Sequence, residues 1–562
     1  MTLQTHQLNH SVNLESVLKN NTSVFDGSDM GLGKTYVGCY LAKVQNLKLI
    51  VICDKTIQTK WKDVASQFGI EIVNIFTYEA LRGIEKKGEI KFSHGYLRSE
   101  SIDDGNKSGY SIHHSSNLTE LLDNLNGAGT VFNINPEEKS RDRKDEDIIH
   151  TGSINNFNIN PEEKSRDRKD EEVIPSGVLF VFDETQKLKN ISSRQFLASV
   201  AIVKHVDELR INLGYKSRCL FLSASFSDRI KSISGFLRLL GIMKSDKLYD
   251  IPSGLNPLMF RGTGMNVNPT GYCDVLDKTL EILDGHPECM EFRNMLNIPP
   301  KKIKDLEKRI ISMWEMLKTR FIFEMIKPNT EFKHHISNEF FPIPRDEGLL
   351  VRSALSKLIE GLRKENDEYR FKEGSMGIVT KALILLQKSK VPLILRISKQ
   401  VLDTDSRKKV VIFGNYNEVL ESLCEGLMSY GVVLLTGDVK SDVRDDIISL
   451  FQQDNNVCRI IVANTGVGGV GIDLDDKTGN HPRVTFIYPD FRLIGIYQAL
   501  GRVFRGIFTK SDAYTYFVHT VCEDLSIDLK EEERILNNLK SKMQVLNIIS
   551  LTDKSVNAPN LK

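Results

Sequence analysis

Residues 28–35 read Ser-Asp-Met-Gly-Leu-Gly-Lys-Thr. Two glycines one residue apart, followed at once by Lys34 and Thr35, suit a loop that wraps phosphate groups. Glycine lets the backbone come close, backbone N–H groups at a helix start add partial positive charge, and the lysine adds a full one. In that chemistry Lys34 reaches the outer phosphates and the Thr35 hydroxyl ligates a magnesium ion. The usual pattern has glycine where this chain has Ser28, so a plain glycine turn that opens a helix stays an alternative.

A second candidate is Asp183-Glu184-Thr185-Gln186, directly after the apolar run Val178 to Phe182. Two carboxylates at the end of a buried strand are costly unless they bind something. Asp183 is expected to hold magnesium, and Glu184 to orient and deprotonate an attacking water. The competing reading makes Asp183 a cap for the next helical turn. The third candidate is Gln498, Arg502 and Arg505, which share one helical face through spacings of four and three, with Gly501 leaving room for close approach. Two arginines offered to a phosphate from another domain would stabilise phosphoryl transfer; a solvated arginine face is the alternative.

These groups need strands and helices to hold them. Leu47 to Cys53, Val178 to Phe182, Cys219 to Leu222, Val410 to Phe413, Val432 to Leu435, Arg459 to Ala463 and Val484 to Tyr488 are apolar without alternation, as in parallel strands buried on both faces. Between them, Val419 to Met428 and Asp442 to Phe451 have helical spacing, so the chain reads as α/β units in two clusters, near 22–230 and 405–520. Residues 231–390 read as mostly helical. Pro300 to Ile326, Leu349 to Leu362 and Ile378 to Leu386 fit helices, and a stripe including Met313, Trp314 and Leu317 is expected to be core.

The chain has 562 residues, enough for several domains, and 75 basic against 74 acidic side chains. That balance argues against a broadly basic, histone-like surface, though not against a local basic groove. The eight cysteines form no C-x-x-C pair, which argues against a zinc site and fits a reducing, intracellular setting. No apolar run is long enough to span a bilayer. Phe132 to Glu146 recurs identically at Phe157 to Glu171. Its dense, nearly cancelling charge predicts a disordered, duplicated loop within an insertion at about 95–177, with a docking segment as the alternative.

Taken in order, these strings resemble superfamily 2 helicases, and in particular the Swi/Snf-like helicases of large cytoplasmic DNA viruses. SDMGLGKT resembles motif I, VICDKTIQTKW motif Ia (with Asp54 for the usual proline), and FTYEAL motif Ib. DETQKLKN resembles the DExH box, with Gln186 for histidine. LSAS stands where the family has Ser-Ala-Thr, and FGNYNEVLESL, TGVGGVGIDL and QALGRVFR resemble motifs IV, V and VI. The resemblance implies two RecA-like, doubly wound parallel-sheet domains, at 1–230 and 391–562 with a helical tail, and a mostly helical insertion or connector at 231–390. It implies ATP and Mg²⁺ between the domains, held by Gln7, Gly31, Gly33, Lys34, Thr35, Gly471 and Asp473. It further implies DNA or RNA across the opposite face, near Thr465 and Gly466, with Gln186, Ser223 and Ser225 coupling hydrolysis to movement. The expected activity is a nucleic-acid-stimulated ATPase, acting as a monomer, as helicase or translocase. Lys189-Asn190 leans towards duplex DNA. Viral transcription or replication proteins are the expected partners, and a viral factory, virion or nucleus the expected place. A catalytically weak scaffold with this fold, or an ATP switch acting on a protein, stay open as alternatives.

Overall fold

The computed structural model describes residues 2–82, 97–103, 108–114, 177–191, 193–213, 216–226, 233–241, most of 314–468, 472–522, and single helical positions in 311 and 532–542. The duplicated segment and Gly471 lie outside the described residues.

The first part runs α1 (Thr5–Asn20), β1 (Ser23–Asp26), α2 (Lys34–Val44), β2 (Leu47–Ile52), α3 (Gln58–Phe68), β3 (Ile72–Phe76) and α4 (Tyr78–Arg82), then a hairpin of β4 (Leu97–Asp103) and β5 (Ser108–His114). It continues through β6 (Gly177–Asp183), α5 (Arg194–Leu213), β7 (Arg218–Leu222), α6 (Ile233–Leu239) and β8 (Ile322–Phe323). Six strands form one sheet in the order β3-β2-β6-β7-β1-β8, every pair parallel. β6 is buried at every position, as its unbroken apolar run requires. Phe25 stacks on Phe221 at 4.7 Å, and Phe221 on Phe182 at 4.6 Å, so one aromatic ladder ties the ends of β1, β7 and β6 together. Those ends carry the candidate phosphate loop, Ser223 and Asp183, because parallel strands end on one edge.

The second part runs β9 (His334–Pro342), α7 (Arg345–Glu360), β10 (Leu362–Glu365), β11 (Glu368–Phe371), α8 (Met376–Ser389), α9 (Val391–Thr404), β12 (Lys409–Gly414), α10 (Asn417–Leu427) and β13 (Val432–Leu435). It then passes through α11 (Ser441–Gln452), β14 (Ile460–Asn464), α12 (Thr465–Gly468), β15 (Arg483–Ile487), α13 (Leu493–Val503) and β16 (Ala513–Val521). A second all-parallel sheet has the order β13-β14-β12-β15-β16-β9. The protein therefore has two α/β units of the RecA-like kind, each a parallel sheet flanked by helices.

Residues 231–390 hold helix α6 and, at the two expected places Leu349 to Leu362 and Ile378 to Leu386, helices α7 and α8; Trp314 and Leu317 are core, with Trp314 edge-on to Phe236 at 4.8 Å. The segment also gives a strand to each sheet. Ile322–Phe323, read as helix from Pro300 to Ile326, pairs with β1, and β9 pairs with β16. A two-residue strand has no periodicity to detect, and the half-buried β9 alternates too weakly to read as a sheet edge. Residues 324–333 are thus the described crossing between the sheets.

One buried charge cluster docks the C-terminal tail on the second sheet. The Lys390 ammonium donates to Glu532 Oε2 at 3.0 Å and to the Val518 carbonyl at 2.9 Å, while the Thr520 hydroxyl donates to Glu532 Oε1 at 2.8 Å. Burial pushes the Glu532 carboxyl up, but the Lys390 charge and the His519 contact outweigh it and hold it at about 2. A depressed carboxyl contributes stability that is present above its ordinary value of 4.5 and lost as pH falls towards about 2. Glu532→Ala, which leaves Lys390 buried without its partner, is expected to cost about 3 kcal/mol. Thermal melts should show this penalty at pH 7 and a smaller one near pH 3.

Candidate functional site

The loop between β1 and α2 is shaped by two left-handed glycines, Gly31 at φ +81° and Gly33 at φ +91°. A Cβ on Gly33 would lie 2.2 Å from Gln7 Nε2, so a larger residue would push that amide aside and strain a backbone held at positive φ. Gln7 on α1 braces this loop by donating to the Leu32 carbonyl at 3.0 Å. Lys34 opens α2, and its ammonium donates to the Ser28 and Asp29 carbonyls at 2.7 and 3.1 Å. Desolvation lowers the Lys34 pKa, against the charges of Asp26, Glu184, Asp183 and Asp29, which raise it. Behind the loop, the buried Asp26 carboxylate meets His10 Nε2 at 3.1 Å and accepts from the Ser28 N–H at 3.0 Å.

Asp183 ends β6. Its Oδ2 accepts from the Trp61 indole N–H at 2.9 Å, its Oδ1 from the Glu184 N–H at 2.9 Å, and its carbonyl from the Tyr78 hydroxyl at 2.8 Å. These bonds hold the carboxylate in place. The capping alternative is not what forms: Glu184, not Asp183, is the N-cap of the turn Thr185–Leu188. Burial and the neighbouring Glu184 charge raise Asp183 to about 6, against the Trp61 hydrogen bond and the Lys34 charge. Glu184 itself is held at φ +57°, a conformation that costs energy for a residue with a side chain.

Helix α13 brings Gln498 and Arg502 across from the second sheet; Arg505 lies past its end, after the extended Phe504, so the expected helical face holds for the first two only, and the turn after the helix delivers the third. Gln498, Arg502 and Arg505 are 8%, 4% and 9% exposed, so this is no solvated arginine face. Gln498 Nε2 donates to Glu184 Oε2 at 3.0 Å, and Arg502 approaches Glu184 Oε1 at 3.8 Å. Arg505 pairs with Asp473 and donates to the Ile472 carbonyl at 3.0 Å. Burial, and then the like charge of Arg505, lower Arg502 to about 10, which still leaves it cationic at neutral pH. A Cβ on Gly501 would fall 2.3 Å from Met30 Cε, and one on Gly31 would fall 3.1 Å from Arg505 Cδ. The glycines at both ends therefore let α13 sit on the phosphate loop.

Most of these candidates line one cavity of about 370 Å³ between the two units; Gln498 does not, and reaches the site through Glu184. Gln7, Gly31, Gly33, Lys34, Thr35, Asp183 and Glu184 come from the first, and Asp473, Arg502 and Arg505 from the second. Lys60, Lys477 and Phe508 also line it. Sequence reading missed these three. Lys60 and Lys477 carry no pattern in a lysine-rich chain, and Phe508 follows the last motif-like residue. Trp61 had a signal, being one of only two tryptophans. A cavity with five cations and three carboxylates suits a polyanion that arrives with a divalent cation.

The proposed coupling residues divide. The Ser223 hydroxyl donates to Gln186 Oε1 at 2.6 Å and accepts from the Ser225 N–H at 3.1 Å, while Gln186 Nε2 donates to Glu184 Oε2. A hydrogen-bonded chain thus runs from Ser225 to Glu184 and on to Gln498. Thr465 and Gly466 are not part of the cavity. The Thr465 hydroxyl donates to the Gly414 carbonyl at 3.0 Å and the Gly466 N–H to Asn464 Oδ1 at 2.9 Å, at the end of β14. Asp54, which stands where the family pattern has proline, pairs with Lys187 and so ties the loop after β2 to the turn after Asp183.

Trp61→Phe removes one donor to Asp183 and leaves the ring. A hydrogen bond to a carboxylate contributes roughly 1.5–3 kcal/mol, so turnover is expected to fall at least about 10-fold. Rates of phosphate release from the ATP that the sequence motifs lead one to expect here, taken well below the melting temperature of both proteins, check this.

Residues 393–506 match the model of the helicase conserved C-terminal domain. A protein of Acanthamoeba polyphaga mimivirus, named provisionally as an ATP-dependent RNA helicase, is 23% identical over 556 residues, 97% of this chain and 83% of its own length. Among solved structures, the Sulfolobus solfataricus SWI2/SNF2 ATPase core in complex with double-stranded DNA aligns over 98% of this chain and 97% of its own, at 14% identity and a TM-score of 0.28. The C-terminal part of the Fun30 ATPase domain aligns over 39% of this chain and 98% of its own, at 16% identity and a TM-score of 0.25. Among the described residues, no helix is long and apolar enough to cross a membrane.

Proposed function

We propose that this chain, whose motifs in 1–230 and 405–520 resemble those of Swi/Snf-like superfamily 2 helicases of large viruses and whose residues 393–506 match the helicase C-terminal domain, couples ATP hydrolysis to movement on a polynucleotide. The observation that carries this reading is the single cavity lined by Lys34 from one unit and by Arg502 and Arg505 from the other. Its donor set fits a nucleoside triphosphate. Gly31, Gly33 and Lys34 would hold the outer phosphates, Thr35 and Asp183 would hold Mg²⁺, and Gln7 and Asp473 would flank them. Magnesium supplies charge neutralisation on the phosphate oxygens.

Glu184 orients the attacking water and takes its proton. Its carboxylate accepts from Gln186 Nε2 within its own unit and from Gln498 Nε2 across the cleft, so contact between the two units adds the second of its two donors. Arg502 and Arg505 place positive charge where negative charge develops. The route Glu184–Gln186–Ser223–Ser225 passes the state of the site to the strand ends of the first unit. Thr465 and Gly466, outside the cavity, fit contacts with a polynucleotide backbone, which are salt-sensitive and indifferent to sequence. The division at 1–230, 231–390 and 391–562 belongs to this reading, with residues 324–333 as the hinge.

The test is phosphate release by the full chain with single- and double-stranded DNA and RNA. Stimulation by one of these supports the motor and names its track. No release with any polynucleotide leaves a scaffold, and release indifferent to all of them leaves a switch acting on a protein.

A further inference from the structure

Ser28 and Asp29, ahead of the glycines, have their backbones tied to one partner and their side chains to others. Both carbonyls accept from the Lys34 ammonium. The Ser28 hydroxyl accepts from the Met325 N–H at 2.8 Å, in the segment that crosses between the sheets. The Asp29 carboxylate accepts from the Tyr497 hydroxyl at 2.8 Å, on α13 of the second unit, and pairs with Lys327 in the crossing segment. Asp29 and Tyr497 are both buried. The phosphate loop is therefore joined to the hinge and to the other unit at two adjacent residues, whose carbonyls the phosphate-binding lysine also holds.

We propose that Asp29, with Ser28 beside it, is a positioning residue that latches the phosphate loop to the hinge and to α13, so that what Lys34 binds sets how the two units meet. The physical link is short. When the Lys34 ammonium turns to an anion it gives up the two carbonyls, and the peptide units that move carry the Ser28 and Asp29 side chains with them. Asp29, Lys327 and Tyr497 also border a second cavity of about 370 Å³, which gives the latch room to open. The role of Lys34 in this latch rests on the nucleotide reading above; the contact between the units does not.

The experiment uses the full chain with Tyr497→Phe, which keeps the ring and removes the hydroxyl, and with Lys327→Met and Asp29→Ala. Turnover, affinity for a non-hydrolysable ATP analogue and the radius of gyration in solution are read for each. Tyr497→Phe is expected to lower kcat about 10-fold, as for loss of one hydrogen bond to a charged group, and to leave analogue affinity within about 3-fold. It should also enlarge the nucleotide-free particle, and the Asp29→Ala, Tyr497→Phe double variant should be no worse than the more damaging single one. Unchanged kcat and size, a parallel fall in kcat and affinity, or multiplying effects in the double variant would overturn the latch. If the wild-type chain binds no analogue, the nucleotide reading fails. The latch is then judged on particle size alone: expansion on Tyr497→Phe supports it, and no change refutes it.

Discussion

Lys34→Ala is expected to lower ATP turnover to below about 1% of the wild-type rate, a loss of at least ~3 kcal/mol in transition-state stabilisation. Lys34 is the cation at the start of α2, and its ammonium lies within the field of Asp26, Asp29, Asp183 and Glu184. Without it the carboxylates face an incoming triphosphate with less compensation, and repulsion adds to the lost attraction. Analogue affinity should fall together with turnover, because the lysine contacts phosphates in the ground state as well. The fold should survive, since among the described residues the ammonium bonds to loop carbonyls, and an unchanged melting curve is the control. Turnover above about a tenth of wild type would remove Lys34 from the chemistry.

Arg505→Ala is the complementary case. Arg505 belongs to the second unit, yet its side chain packs against Gly31 of the phosphate loop and is oriented by Asp473 and the Ile472 carbonyl. Arginines placed in this way contribute about 10³–10⁵ in rate to phosphoryl transfer. Turnover is expected to fall about 10³-fold while analogue affinity changes little, the reverse of the Lys34 pattern. Arg505→Lys should not rescue it, because one ammonium cannot meet Asp473 and Ile472 and still point its remaining donors into the cavity. Parallel losses in affinity and turnover would make Arg505 a structural tie and leave Arg502 as the sole arginine candidate.

Much of this was legible in the sequence because burial on both faces leaves an unbroken apolar run. Leu47 to Cys53, Val178 to Phe182 and Val432 to Leu435 are strands within a residue of where that signal put them. The chemistry was legible where residue types are unusual together, as in Gly31, Gly33 and Lys34 or in Gln498, Arg502 and Arg505, and all six line the site or bond across it. Contacts made through backbone groups or between distant single residues were not legible. The Tyr78 hydroxyl on the Asp183 carbonyl and Tyr497 on Asp29 join residues 105 and 468 positions apart, and neither tyrosine differs from an ordinary core residue in the sequence. The strands β8 and β9 were missed for a related reason. Their identity comes from the neighbours they pair with, β1 and β16, and not from their own pattern.

The most direct test is a crystal structure of the chain with Mg²⁺ and a beryllium fluoride complex of ADP, in which the fluoride group stands in for the outermost phosphate. That group should lie within hydrogen-bond reach, about 3 Å, of Lys34 Nζ on one side and of Arg502 or Arg505 on the other. A nucleotide held by the first unit alone, with both arginines turned to other partners, would contradict the account.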